Sequence, residues 1–149
     1  MKLTKHFQLE EFTRSVTADL LGIDNTLNPE SPYDAILIDN LRRLCEQVLE
    51  PLRAYANVPL YINSGYRSMI LNRALGGAPY SNHISGCAAD LRIPDESTGR
   101  DWFRWLQQHV KFDELIWESE TPVTYPWIHI ALKPEANRQK VLPHLVKQR

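Results

Sequence analysis

Cysteine and long apolar runs are both scarce in this sequence of 149 residues. Cys45 and Cys87 are too few for a disulfide framework and do not form a Cys-x-x-Cys motif. We expect both thiols to be free and buried, with a single bridge between them as the alternative. No apolar run approaches the roughly 20 residues that span a bilayer, and the first residues lack the apolar stretch of a signal peptide. We therefore expect a soluble protein without a signal peptide and without a membrane partner.

No charge of one sign predominates, because 17 basic and 18 acidic residues give a formal net charge of -1. The charges are interspersed, so there is no basic stripe for a phosphate backbone, and we expect no nucleic-acid partner. Internal repeats are missing, and the ten prolines are scattered instead of gathered into a linker. The length and composition predict one domain over residues 1–149 with a sizeable core. We expect a monomer.

The hydrophobic pattern predicts helices and short strands in one layered domain. Helices are predicted near residues 7–12 and 20–23, over residues 32–55 with Pro51 kinking or restarting the helix, and over residues 68–75 and 94–110. Strands are predicted over residues 58–63, 87–93, 115–117 and 127–132, with a hairpin joining the last two. The C-terminal segment is predicted to close the domain as a short helix. The sum is an α+β fold with a small, mainly antiparallel sheet flanked by helices.

The segment with the strongest chemical signal is residues 81–90, Ser-Asn-His-Ile-Ser-Gly-Cys-Ala-Ala-Asp. It places the His83 imidazole in a loop and the Asp90 carboxylate on a predicted strand, and a turn at Gly86 could bring both to one ion. Zinc commonly takes histidine nitrogen and carboxylate oxygen, and a catalytic zinc has three protein ligands and one water. His129, in an apolar and aromatic strand, is the best placed of the other histidines. The remaining histidines lie near expected surface or terminal segments: His6, His109 and His144.

Each of these three residues also has a structural explanation. His83 could be a hydrogen-bonded loop histidine, Asp90 a capping or paired carboxylate, and His129 a satisfied core histidine. The neighbouring motifs favour the chemical interpretation. Those motifs are Ser64-Gly65-Tyr66-Arg67-Ser68, Leu71-Asn72, the segment 81–90 and Trp127-Ile128-His129.

Together these motifs closely resemble the zinc D-Ala-D-Ala carboxypeptidase and endolysin family of metallopeptidases, particularly its short single-domain branch common in phages and prophages. The resemblance runs from residues 7–12 through residues 49–53 to His129. It implies a hedgehog/DD-peptidase-like fold with one zinc ion held by His83, Asp90 and His129. The implied substrate is a stem or cross-link peptide of peptidoglycan that contains D-amino acids, cleaved by carboxypeptidase or endopeptidase action.

The resemblance also implies where the protein acts in the cell and what further residues of the site do. A phage or prophage enzyme of this kind stays in the cytoplasm until it is released to act on the cell wall, and a bacterial cytoplasmic protein is the alternative. Arg67 corresponds to the family arginine that faces the substrate, where a guanidinium can stabilise the oxyanion of a tetrahedral intermediate. A structural ion pair is the other interpretation of Arg67. Ser81 is expected to hydrogen-bond within the site, and Ser64 and Tyr66 to line the cleft or only to shape the turn.

The general base departs from the family pattern. Several members of the family place an acidic residue or a histidine three positions before the last ligand, where this sequence has Pro126. Glu118, at the end of the third predicted strand, resembles a glutamate of the phage-type branch. We expect Glu118 to take the proton from zinc-activated water. Glu120 is the alternative base, and Asp113 is expected to be structural.

Two other functions stay open. The first is a non-catalytic module of the same fold, with or without zinc, that binds cell-wall peptide or a protein partner, and Pro126 favours it. The second is a hydrolase with Cys87 as its nucleophile, although no separate base is evident once His83 is assigned to zinc. Other divalent ions could also occupy a site of two histidines and one aspartate.

Overall fold

The computed structural model describes residues 1–147 and shows an α+β fold built on one five-stranded sheet. The spatial order of the strands is β1-β2-β4-β3-β5, and every neighbouring pair is antiparallel except β3 and β5. The predicted mainly antiparallel sheet and the β3–β4 hairpin are confirmed. Residues 148 and 149 of the predicted domain lie outside the described residues. The strands are β1 (Ile62–Ser64), β2 (Ala88–Arg92), β3 (Glu114–Ser119), β4 (Trp127–Ala131) and β5 (Lys140–Val146).

The helices are α1 (Leu9–Thr13), α2 (Val16–Leu21), α3 (Pro32–Leu44), α4 (Glu50–Ala56), α5 (Met69–Ala74) and α6 (Glu96–His109). A π-helical turn, Cys45–Leu49, joins α3 to α4, so the long predicted helix restarts just before Pro51. A proline lacks the N–H group and its ring crowds the carbonyl four residues earlier, and the wider turn accommodates both effects. Within residues 1–147, no helix combines the length and the apolar character needed to cross a bilayer.

The sheet has a core face and a cleft face, because side chains alternate along each strand. On β4, Ile128 and Ile130 belong to the hydrophobic core that the sheet forms with the long helices, and His129 lies between them on the opposite face. His129 pairs with Asp90 of β2 and with Ile116 of β3. Residues directly opposite each other in antiparallel strands share a face. The strand register therefore brings Asp90 and His129 to the same side of the sheet.

The C-terminal segment forms β5, so the predicted closing helix is wrong. β5 lies at the sheet edge, where Pro143 is tolerated because an edge strand has one unpaired side. Between the pairs made by Ile116 and Glu118, two steps along β3 match three along β5, which places one extra residue in β5. Residues 145–147 line the cleft over the sheet. This edge strand therefore forms part of the cleft wall.

Candidate metal centre

Three side chains that are distant in the sequence meet on the cleft face of the sheet. The loop after α5 supplies His83, β2 supplies Asp90, and β4 supplies His129. The Asp90 Oδ1 atom lies 3.3 Å from His83 Nε2 and 2.9 Å from His129 Nδ1. One donor atom from each residue lies within 4.8 Å of the other two, so the group could hold one metal ion. All three residues are buried.

Gly86 shapes the loop that carries His83. Its φ angle is +71°, a conformation that residues with a side chain rarely adopt. A Cβ atom at this position would lie 2.7 Å from the Leu37 carbonyl oxygen of α3. The loop therefore packs directly against the α3 backbone and turns from His83 into β2, as the sequence predicts.

In each histidine, the ring nitrogen that points away from Asp90 also has a hydrogen-bond partner. His83 Nδ1 lies 2.6 Å from the Gly65 carbonyl oxygen, and His129 Nε2 lies 3.3 Å from Glu114 Oε1. A carbonyl or carboxylate oxygen accepts an N–H, so with a proton on each of these outward nitrogens, His83 Nε2 and His129 Nδ1 can bind a metal in place of their contacts with Asp90. Two histidine nitrogens and one carboxylate oxygen are a donor set that zinc commonly takes. The residues fit a zinc ion.

The protonation states of the three residues depend on one another. Burial acts to raise the pKa of Asp90, but His83 and His129 outweigh it and hold this pKa well below its usual range. Burial lowers the pKa of His83. Burial also acts to lower the pKa of His129, but hydrogen bonds with Asp90 and Glu114 raise it to about 10. At neutral pH the His129 imidazole is therefore protonated on both nitrogens, each of which lies beside a carboxylate. A metal that binds Nδ1 must displace the proton from that nitrogen.

Arg67 is a buried arginine that contacts Asp90 from the other side. Its Nη2 atom lies 3.3 Å from Asp90 Oδ2, and its Nε donates to Ser64 Oγ at 3.1 Å. Its Nη1 donates to Asn72 Oδ1 at 3.3 Å, and its backbone N–H donates to the His83 carbonyl at 3.1 Å. Arg67 also lines the cleft. Both interpretations of Arg67, the substrate-facing arginine and the structural ion pair, therefore have a geometric basis.

An open cleft with a volume of about 920 Å³ lies over the metal centre. Arg67 also lines a smaller cavity of about 370 Å³, whose other lining residues include Ser64, Tyr66, Asp90 and Glu120. Ser81 Oγ accepts a hydrogen bond from the backbone N–H of His83 at 3.1 Å. Five of the sequence-predicted site residues line the larger cleft: Arg67, Ser81, His83, Glu118 and His129.

Two glutamates lie on the cleft face of β3, on either side of Ile116. Burial and the charge of Asp90 raise the pKa of Glu118. The pKa of Glu114 is lowered, mainly by its hydrogen bond with His129. The sequence did not predict Glu114, because its relation to His129 follows from the β3–β4 register. Period-two alternation through Glu114, Ile116 and Glu118 was the one signal available in the sequence.

Asp113 and Cys87 lie near the centre but have other partners. Arg138 donates to Asp113 through Nε at 3.0 Å and through Nη2 at 2.8 Å, in agreement with the expected structural role of Asp113. Burial raises the pKa of the Cys87 thiol, which disfavours the thiolate that a nucleophile needs. Cys45 and Cys87 are both free and buried, as predicted.

A family model described as Peptidase M15 matches residues 5–131, a span that contains His83, Asp90 and His129. The chain belongs to the peptidase M15 family. This match confirms the resemblance to zinc D-Ala-D-Ala carboxypeptidase-like proteins, and it supports a zinc-dependent metallopeptidase. The M15 match ends with β4, so β5 and Arg138 lie beyond the matched residues. The comparison with curated proteins found no significant match.

Proposed function

We propose that this M15 peptidase hydrolyses peptide bonds of bacterial peptidoglycan that involve D-amino acids, using one zinc ion held by His83, Asp90 and His129. The observation that carries the proposal is the position of these donors beside an open cleft. Structural zinc sites are closed by four protein ligands, whereas catalytic sites have three and one open position. The described residues bring three donors together, and both histidines line the cleft. When bound, zinc supplies a Lewis acid that polarises a carbonyl group and acidifies water.

Glu118 is the proposed general base. It lines the cleft and lies two residue pairs along the β3–β4 ladder from His129, on the same face of the sheet. Its raised pKa brings the carboxyl group closer to the range in which a base works well at neutral pH. Glu118 accepts a proton from the attacking water and returns it to the leaving amine. Several family members have an acidic residue or a histidine at the position of Pro126. In this proposal Glu118, on the neighbouring strand β3, takes the proton instead.

The position of Glu120 makes it a weaker candidate for the base. Glu120 lines the smaller cavity, which Asp90 also lines, whereas Glu118 lines the cleft together with both histidines. A general base must come within hydrogen-bond reach of the proton that it removes. Glu118 meets that requirement more directly than Glu120.

Arg67 is proposed to orient Asp90 and to bind a substrate oxygen. A guanidinium has five N–H donors, so the three side-chain contacts of Arg67 leave two for a substrate carbonyl or carboxylate. Ser64 supports Arg67 through Nε, and Ser81 supports the His83 backbone. Tyr66 is proposed to line the smaller cavity beside Arg67.

The wider proposal is a single-domain lytic enzyme of the phage or prophage type. We infer that it acts as a monomer and remains in the cytoplasm until it is released to act on the wall. The resemblance of residues 64–68, 81–90 and 127–129 to that branch supports this setting. Product analysis decides between carboxypeptidase and endopeptidase action, and between D,D- and L,D-bonds.

A non-catalytic zinc module that binds wall peptide is the second candidate. Pro126 is the observation that favours it, because this residue cannot titrate where other family members have an acid or a histidine. Glu118 on the cleft face of β3 is the observation that favours the enzyme.

The test combines zinc analysis of the purified protein with digestion of peptidoglycan. The variants are His83→Ala, Glu118→Ala and, as a matched control, Glu120→Ala. We expect one zinc per chain in all proteins except His83→Ala, and released peptides from the wild type and Glu120→Ala only. Stoichiometric zinc without release from several wall types supports the binding module. Absence of zinc at neutral pH contradicts the site assignment.

A further inference from the structure

A layer of hydrogen bonds beside His129, along the wall of the cleft, is centred on Glu114. The Glu114 Oε1 atom lies 3.3 Å from His129 Nε2 and accepts a hydrogen bond from Asn82 Nδ2 at 3.0 Å. The Glu114 Oε2 atom lies 3.3 Å from Arg138 Nη2. Both carboxylate oxygens of Glu114 are therefore engaged within the fold.

The partners of Glu114 are themselves held by Asp113. Arg138 contacts the Asp113 carboxylate through two nitrogens, and Asn82 Nδ2 donates to Asp113 Oδ2 at 3.0 Å. The side chain of Asp113 is buried, so this anchor has little freedom to move. Asp113, Asn82 and Arg138 therefore hold the Glu114 carboxylate in a defined place.

The strand register explains how Glu114 reaches His129. Glu114 pairs with Ala131 across the β3–β4 ladder, two residues along from His129 and on the same face of the sheet. Diagonal neighbours of this kind are within reach of long side chains. A glutamate at this position can therefore contact the far nitrogen of the imidazole while Asp90 contacts the near one.

We propose that Glu114 is a positioning residue of the metal centre, which accepts the Nε2–H of His129 and thereby aims Nδ1 at the metal. This inference rests on the proposed function, because it requires His129 to be a metal ligand. A carboxylate that accepts the second N–H of a ligand histidine fixes its tautomer and ring orientation and raises its basicity. Arg138 belongs to this layer although it lies beyond the residues that the family model matches.

The two glutamates of β3 then have separate duties. Both glutamates line the cleft, but the Glu114 carboxylate is occupied by His129, Asn82 and Arg138, which leaves Glu118 for a reacting water. Loss of Glu114 should therefore reduce zinc affinity, and loss of Glu118 should leave zinc bound. Zinc affinity distinguishes the two roles without an activity measurement.

The test compares Glu114→Gln with Glu114→Asp by competition of each protein with a chromophoric zinc chelator. Glutamine keeps an acceptor oxygen at the same reach but removes the charge, and aspartate keeps the charge but shortens the side chain by one methylene. Outer hydrogen bonds of ligand histidines typically contribute about 10–100-fold to metal affinity. We expect a loss of this order for Glu114→Asp and a clearly smaller loss for Glu114→Gln. Glu135→Ala, at an exposed residue, is the control for removal of a charge and should leave zinc affinity unchanged.

Two results overturn the inference in distinguishable ways. Zinc affinity that is unchanged in both Glu114 variants, or is weaker in Glu114→Gln than in Glu114→Asp, contradicts positioning through the hydrogen bond and leaves the proposed function intact. A wild-type protein that binds no zinc overturns the metal centre and the inference together. In the zinc-loaded protein, ¹⁵N resonances that assign the proton of His129 to Nε2 support the inference, and assignment to Nδ1 contradicts it.

Discussion

Glu114 and Glu118 lie on the same face of β3, but their carboxyl pKa values shift in opposite directions. The hydrogen bond with His129 is the main cause of the lowered pKa of Glu114, and burial is the main cause of the raised pKa of Glu118. Two carboxyl groups in different environments can divide an orienting role and a proton-transfer role between them. The strand that flanks the metal centre therefore carries both roles proposed above.

The pKa of Glu118 should govern how the activity falls at low pH, which is the acid limb of the pH–activity profile. A base must be ionised to accept a proton, so kcat/KM should fall as the pH drops through the pKa of Glu118, which burial raises. Lys147 lowers this pKa, so Lys147→Met should move the limb to higher pH. The measurement is hydrolysis of a soluble wall peptide from about pH 4 to about pH 8. A limb that Lys147→Met leaves in place or moves to lower pH contradicts the assignment.

Zinc uptake should release a proton from His129. Because the pKa of His129 is raised to about 10, its imidazole is protonated at neutral pH, and a metal at Nδ1 displaces that proton. Calorimetric titration with zinc in buffers of different ionisation enthalpy should give a release close to one proton per ion. Zinc affinity should also weaken as the pH falls. Affinity that is independent of pH between about 6 and 8 would argue against a protonated His129.

Asp113 should contribute strongly to stability. Burial acts to raise its pKa, but hydrogen bonds from Arg138 and Asn82 outweigh it and depress the pKa well below the ordinary value. Asp113→Asn should lower the free energy of unfolding by about 1.5–3 kcal/mol, the range for hydrogen bonds to charged groups. Urea denaturation measures the change. A carboxyl group whose pKa is lower in the folded than in the unfolded protein stabilises the fold above the unfolded pKa of 3.8. The difference in unfolding free energy between Asp113→Asn and wild type should therefore shrink as the pH falls below that value.

Asp39→Asn is the matched control for Asp113. Asp39 is exposed and pairs with Arg42 at 2.9 Å within one turn of α3. Exposed pairs of this kind contribute about 0–1 kcal/mol. A loss in Asp39→Asn as large as that in Asp113→Asn would contradict a special role for the buried carboxylate.

Gly86 and Gly76 offer a second matched comparison. Both have positive φ angles, +71° and +70°, so alanine is strained at either position by about 1–2 kcal/mol. A Cβ at Gly86 also meets the Leu37 carbonyl at 2.7 Å, whereas a Cβ at Gly76 meets nothing within 4 Å. Gly86→Ala should therefore destabilise the protein more than Gly76→Ala in urea denaturation. It should also lower the zinc content, because the Gly86 turn carries His83. Equal effects in the two variants would show that the contact with α3 is unimportant.

The group of His83, Asp90 and His129 could be predicted from the sequence because these residues lie in short local motifs. His83 and Asp90 are close in the chain and separated by Gly86, and His129 interrupts an apolar strand. Glu114 could not be assigned in the same way. Its contact with His129 depends on which residues of β3 and β4 face each other, and periodicity alone does not give that register.

The long helices and four of the strands follow directly from local hydrophobic spacing, whereas β5 does not. The strand contains Pro143, and most of its residues are exposed or only partly buried. Neither an alternation of apolar and polar residues nor strand propensity therefore identifies it in the sequence. Parallel pairing with β3 stabilises it, and that pairing joins residues more than twenty positions apart. A non-local contact therefore decides the structure of the segment that completes the cleft wall.

Side chains alternate between the two faces of the sheet along β4, so core residues lie on one face and the proposed metal ligand on the other. Ile128 and Ile130 pack in the core, while His129 between them lies on the cleft face. A substitution on one face can therefore leave the other face intact. An insertion or deletion of one residue within the strand would reverse both faces at once, burying the imidazole in the core and placing the isoleucines in the cleft. Mutational libraries of this protein should therefore tolerate changes of side chain in the central strands much better than changes in their length.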